Sequence, residues 1–96
     1  MKMFLVVYEE YLDENTTASF KQAGFKAYTK MHDVTGEGEK HLPRLGNRKG
    51  PGKNHTLSFA VPDEEVPRLL GVVQNLRERY PTAGFRAFTF PLEQCV

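Results

Sequence analysis

Thr35–Asn54 reads TGEGEKHLPRLGNRKGPGKN, a polar segment with five glycines and two prolines set between two hydrophobic runs. Compact domains rarely hold a structureless loop longer than about 12–15 residues unless the loop carries function. The runs on either side read as ordered strands. The segment is therefore expected to be one long loop, residues 35–54, on a small rigid scaffold. That arrangement points to a sensor or adaptor ahead of an enzyme.

Working outward, Met3 to Tyr8 (MFLVVY) is a continuous apolar run whose length and β-branched content predict a buried strand. Leu12 to Ala23 reads as a helix. Asp13 and Glu14 suit its N-terminus, and Leu12, Thr16, Phe20 and Ala23 share one face. Gly24 is placed to end it in a left-handed cap. Phe25 to Val34 is expected as a second, more polar strand. Beyond the loop, His55 to Val61 alternates, with Leu57, Phe59 and Val61 on one side and Thr56, Ser58 and Ala60 on the other. Pro62 stops that strand, and Asp63 is the expected N-cap of a second helix, with Pro67 tolerable near its first turn. Its apolar face is Val66, Leu69, Leu70, Val73, Leu76 and Tyr80. Pro81 breaks the helix, and Phe85 to Phe90 is the last strand.

The order is strand–helix–strand, loop, strand–helix–strand. This predicts an α+β ferredoxin-like βαββαβ fold, a four-stranded antiparallel sheet with both helices on one face and a long insertion between strands 2 and 3. The other face carries Thr56, Ser58 and Ala60, or Arg86, Phe88 and Phe90, depending on register. A partner subunit is expected to cover it.

The totals agree. Ninety-six residues make one domain, 1–96. A net charge of +1 argues against a general nucleic-acid binder. No hydrophobic run approaches the roughly 20 residues of a membrane span, and the first residues lack the form of a cleavable signal. The lone cysteine, Cys95, fits a reducing cytoplasm and reads as an incidental thiol.

Few motifs carry chemistry. Asn47 to Asn54 (NRKGPGKN) is a near miss to a P-loop. Asn47 stands where glycine is required and Asn54 where Ser or Thr would hold Mg²⁺, and a strand follows instead of a helix. Lys40, Arg44, Arg48, Lys49 and Lys53 outnumber Glu37 and Glu39 in the loop. They read as a solvated loop or as a basic arm for an anion or an acidic partner. His32, His41 and His55 lack helical or cluster spacing and read first as exposed side chains. His41 and His55 lie at opposite ends of the loop and could meet at its base as metal ligands, with Glu37 or Glu39. No catalytic constellation is present, so the chain does not read as an enzyme.

Leu12-Asp13-Glu14, Gly24-Phe25 and Val34-Thr35-Gly36-Glu37-Gly38 resemble the helix start, helix end and loop start of the P-II signal-transduction proteins. The element order extends the likeness over nearly the whole chain. The resemblance implies a homotrimer that binds an adenine nucleotide in inter-subunit clefts. It also implies regulation of a protein partner, such as a membrane transporter or efflux pump, through the long loop, called the T-loop. Gly36 and Gly38 would form the loop base, Lys40 would lie near the phosphates, and Gly84 and Arg86 would stand for the second nucleotide-binding loop. Arg44, Arg48, Lys49 and Lys53 would face the partner. That second loop is only PTAGFR here, without the family's glycine-rich run, so another small anion or a divalent metal is an alternative ligand. In the alternative reading the same fold serves metal homeostasis through His41 and His55.

Overall fold

The structure, a computed structural model, describes residues 1–34 and 53–96. Strand β1 (Lys2–Glu9) leads through a 3-10 turn (Glu10–Leu12) into helix α1 (Asp13–Gln22). Strands β2 (Thr29–Val34) and β3 (Asn54–Val61) follow, then helix α2 (Val66–Arg79) and strand β4 (Arg86–Pro91). The sheet order is β2-β3-β1-β4, with each neighbouring pair antiparallel. This is the expected ferredoxin-like arrangement. No helix among the described residues is long and apolar enough to cross a membrane. The expected loop reaches one residue too far, since Asn54 already belongs to β3.

Alternation assigns the faces. Phe4, Val6 and Tyr8 of β1 and Leu57, Phe59 and Val61 of β3 are buried with Phe20 of α1 and Leu69, Val73 and Leu76 of α2. Phe59 is the hub, with the rings of Phe20, Phe25 and Tyr28 at 4.9, 6.0 and 6.0 Å between centroids.

Three further sequence expectations need correction. Strand β2 starts at Thr29, not Phe25. The reason is the helix cap. Gly24 has φ 99°, its N–H reaches the Lys21 carbonyl at 2.9 Å, and the Phe25 N–H reaches the Phe20 carbonyl at 2.9 Å. This pair of bonds is a Schellman motif, so the Phe25 backbone closes the helix and its ring drops into the core. Asp63 does not cap α2. It opens a 3-10 turn (Asp63–Glu65) without a side-chain cap bond, and α2 starts three residues later. Leu70 of the expected apolar face is 41% exposed, because the buried stripe runs through Leu69, Val73 and Leu76.

The register settles the second sheet face. Met3, Leu5 and Val7 lie opposite Ala60, Ser58 and Thr56 on one side and opposite Phe90, Phe88 and Arg86 on the other. The two candidate sets are thus one surface. Phe88 and Phe90 are 51% and 43% exposed on it.

A polar network ties three elements together below the sheet. The Tyr8 hydroxyl donates to Asp13 Oδ1 at 2.6 Å, and Lys30 Nζ donates to Asp13 Oδ2 at 2.9 Å. Burial pushes the Asp13 carboxyl up, but these two hydrogen bonds and the Lys30 charge outweigh it and hold the group below its ordinary value. Burial, then Asp13, pushes the Tyr8 hydroxyl far above its ordinary value, so it stays a donor.

Because the folded-state value of Asp13 lies below the unfolded one, the network stabilises the protein above about pH 4 and loses that contribution as pH falls through the folded value. Asp13→Ala is expected to cost about 1–3 kcal/mol at pH 7 and to flatten the acid limb of the stability curve, read by urea unfolding between pH 7 and pH 2. Phe59→Ala is expected to cost about 3–5 kcal/mol in the same assay, by emptying the centre of an aromatic cluster.

Candidate functional site

The β1 end, the β2 end, the β3 start and the β4 start all lie at one edge of the sheet. Residues 35–52 connect β2 to β3 at this edge, so it forms the foot of the long connection. Gly36, Gly38, Lys40, His41, Arg44, Arg48 and Lys49 lie outside the described residues. Lys53, Gly84, Arg86 and His55 are described, and all four reach this edge.

Lys53 is exposed, and its carbonyl accepts the Glu10 N–H at 3.0 Å, which closes the 3-10 turn onto the start of β3. Gly84 follows a turn in which the Ala83 N–H reaches the Tyr80 carbonyl at 3.0 Å. Phe85 anchors that turn, with its ring 6.5 Å from both Tyr8 and Tyr80. Arg86 is exposed and pairs with Val7, which pairs on its other side with Thr56. Its guanidinium therefore belongs to the helix-free face, one strand across from the residue after His55.

His55 is not the exposed histidine that its polar surroundings in sequence suggest. It is 7% exposed, opposite Tyr8 in the β1–β3 ladder. The Tyr8 and His55 rings meet edge-on at 6.2 Å. Its immediate neighbours come from β2. The β2–β3 ladder runs regularly to Met31↔Thr56, then shifts register and resumes at Val34↔Asn54. Between these pairs, His32 and Asp33 together face the single residue His55. This is a β-bulge, and Asp33 takes it up with φ 56°. Aspartate is one of the few residues other than glycine that tolerate this left-handed conformation.

The bulge orients the imidazoles. The Asp33 N–H donates to His55 Nδ1 at 3.3 Å, and His55 Nε2 lies 3.1 Å from His32 Nδ1. Since Nδ1 accepts from a backbone N–H, the neutral His55 ring carries its proton on Nε2 and donates it to His32. One ligand-capable atom each from Glu10, Asp33 and His55 lie within 4.8 Å of one another. The sequence reading overlooked Asp33 and Glu10, and named His32 only as an exposed side chain, which it is, without its contact to His55. His32 and Asp33 stand just before the loop and His55 just after it, which was the available signal. The bulge that makes two successive residues face one cannot be seen without the register.

Known proteins place this chain. The family model for nitrogen regulatory protein P-II matches residues 1–96. No curated protein matches the sequence. Among solved structures, CPII from Thiomonas intermedia K12, described as a nitrogen regulatory PII-like protein bound to ADP, AMP and bicarbonate, is 22% identical. It aligns over 99% of this chain and 94% of its own, with a TM-score of 0.66. The same protein bound to ADP, AMP and acetate is 22% identical over 97% of this chain and 88% of its own, with a TM-score of 0.65. A PII-like signalling protein from Thermus thermophilus is 27% identical over 93% of this chain and 82% of its own, with a TM-score of 0.62. With its whole length matched by the family model and the βαββαβ sheet in place, the chain belongs to the nitrogen regulatory protein P-II family.

Proposed function

We propose that this protein is a trimeric, non-enzymatic regulator of the cytoplasm. It takes up an adenine nucleotide or another small anion in clefts between subunits and acts on a protein partner through residues 35–54. The full-length family match is the observation that carries this reading. The helix-free face supports the assembly: Phe88 and Phe90, about half exposed in the single chain, are suited to burial against other subunits. CPII, similar in fold, is solved with ADP, AMP and bicarbonate, which supports that class of ligand.

In this reading Gly36, Gly38, Lys40, Gly84 and Arg86 hold the ligand. Lys40 and Arg86 supply positive charge for phosphate or carboxylate oxygens. Arg44, Arg48, Lys49 and Lys53 meet an acidic surface of the partner, such as a membrane transporter or efflux pump. A ligand can change the partner affinity only as far as it binds the partner-competent loop state more tightly than the other state.

Thermal denaturation with ATP, ADP, AMP and bicarbonate tests the ligand. At about 100 times its dissociation constant, a ligand adds about 2.7 kcal/mol, a shift of about 10 °C or more for a domain of this size. One adenine nucleotide is expected to give that shift, and the Lys40→Ala, Arg86→Ala double variant is expected to bind it at least ~10-fold more weakly. A double variant with unchanged affinity removes both residues from the site. Light scattering on the eluting protein should give a trimer mass, and Phe88→Glu should lower it to that of a monomer. A wild-type monomer at micromolar concentration ends the inter-subunit reading.

A further inference from the structure

The geometry points to a divalent transition-metal site at the foot of the loop, made by His55 Nδ1 and the carboxylates of Glu10 and Asp33, with His32 as the residue that orients His55. It does not rest on the nucleotide reading and shares no residue with it. It also replaces His41 and the loop acids, Glu37 and Glu39, as the partners of His55.

The three ligand groups come from three separate parts of the chain: the turn after β1, the bulge of β2 and the start of β3. They already lie within 4.8 Å of one another. Closing to metal-bonding distances needs rotation of the two exposed carboxylates and a shift of the Asp33 backbone away from Nδ1, because the imidazole is buried. Two carboxylates supply the charge that a dication offsets. The imidazole selects a first-row transition ion over Mg²⁺ or Ca²⁺, which favour oxygen alone. Three protein ligands leave a fourth position open for water or a small anion.

The tautomer fits this chemistry. His55 keeps its proton on Nε2, held by His32 Nδ1 at 3.1 Å. A metal-bound histidine ordinarily donates its other N–H to a carboxylate, backbone carbonyl or water, which fixes the ring and raises the basicity of the ligating nitrogen; here His32 Nδ1 takes that place. Nδ1 is left with its lone pair. Its present occupant is the Asp33 N–H at 3.3 Å, a long hydrogen bond that a metal on Nδ1 would replace as the bulge backbone shifts. Asp33 and His55 lie just before and just after the connection 35–52, so a bound cation would brace the Val34↔Asn54 pairing that already sets the spacing of its two ends.

The test uses the metal-stripped full chain, titrated with Zn²⁺ against a chromogenic chelator, and with Co²⁺ for its visible spectrum. Wild type is expected to bind one Zn²⁺ per chain and to give a Co²⁺ spectrum with nitrogen and oxygen ligation. Glu10→Gln and Asp33→Asn keep size and, for Asn, tolerance of the left-handed backbone, so both variants should fold. Each is expected to lose at least ~10-fold in Zn²⁺ affinity. His32→Ala should lose about 10-fold, and His32→Gln, which keeps an acceptor, should recover most of it. His41→Ala should bind as wild type does. Unchanged affinity in the Glu10→Gln, Asp33→Asn double variant would falsify the site, as would loss on His41→Ala alone. Zn²⁺ binding in a protein that ignores every nucleotide leaves this site standing while the nucleotide reading falls.

Discussion

The β1–β3 pairing is the constraint on which the other features rest. It runs without a break from Lys2↔Val61 to Glu9↔Asn54. Because side chains alternate with period two, a slip of one residue would turn Phe4, Val6 and Tyr8 away from the helices and bring Met3, Leu5 and Val7 under them. The unbroken register also places Tyr8 opposite His55 and Val7 opposite Thr56. The buried histidine and the surface that carries Arg86 are therefore fixed by the same ladder that builds the core. No loop residue is needed to place them.

Strand β2 is held differently. Most of its residues are exposed, and its ladder with β3 shifts before it ends. Its attachment to the core side is polar, through Lys30 and Asp13. An edge strand of this kind can accept a bulge because no further strand must follow its register. The connection 35–52 thus leaves from the least constrained strand and returns into the most constrained pair.

Much of this was legible in the sequence. Alternation in LSFAV, a helical stripe through Leu69, Val73 and Leu76, and glycine after α1 are local patterns that burial enforces directly. They led to the right element order and to the ferredoxin-like sheet. The start of β2 was misread because Phe25 is apolar in both readings. Only the Schellman bonds, which depend on how α1 ends, decide that its backbone closes a helix. The capping role expected of Asp63 failed for a similar reason: a 3-10 turn intervenes before α2 begins. At the foot of the loop, His55 was recognised as a candidate, but its surroundings were not. Burial of a histidine depends on the tyrosine across the ladder and on a bulge in the neighbouring strand, and neither follows from spacing along the chain.

The same edge of the sheet presents two faces. On the helix-free side stands Arg86, whose ladder partner is Val7, with Thr56 one strand further on and Glu9 on the same face as Val7 by alternation. Around His55, on the core side, stand Glu10 and Asp33. The sheet, only one backbone thick, separates them. Were an anion to bind at Arg86 and a cation at Glu10, Asp33 and His55, as proposed, each would lower the energy of the other by attraction through a medium less polar than water. By linkage, whatever the cation does to the affinity of the anion, the anion must do to the affinity of the cation.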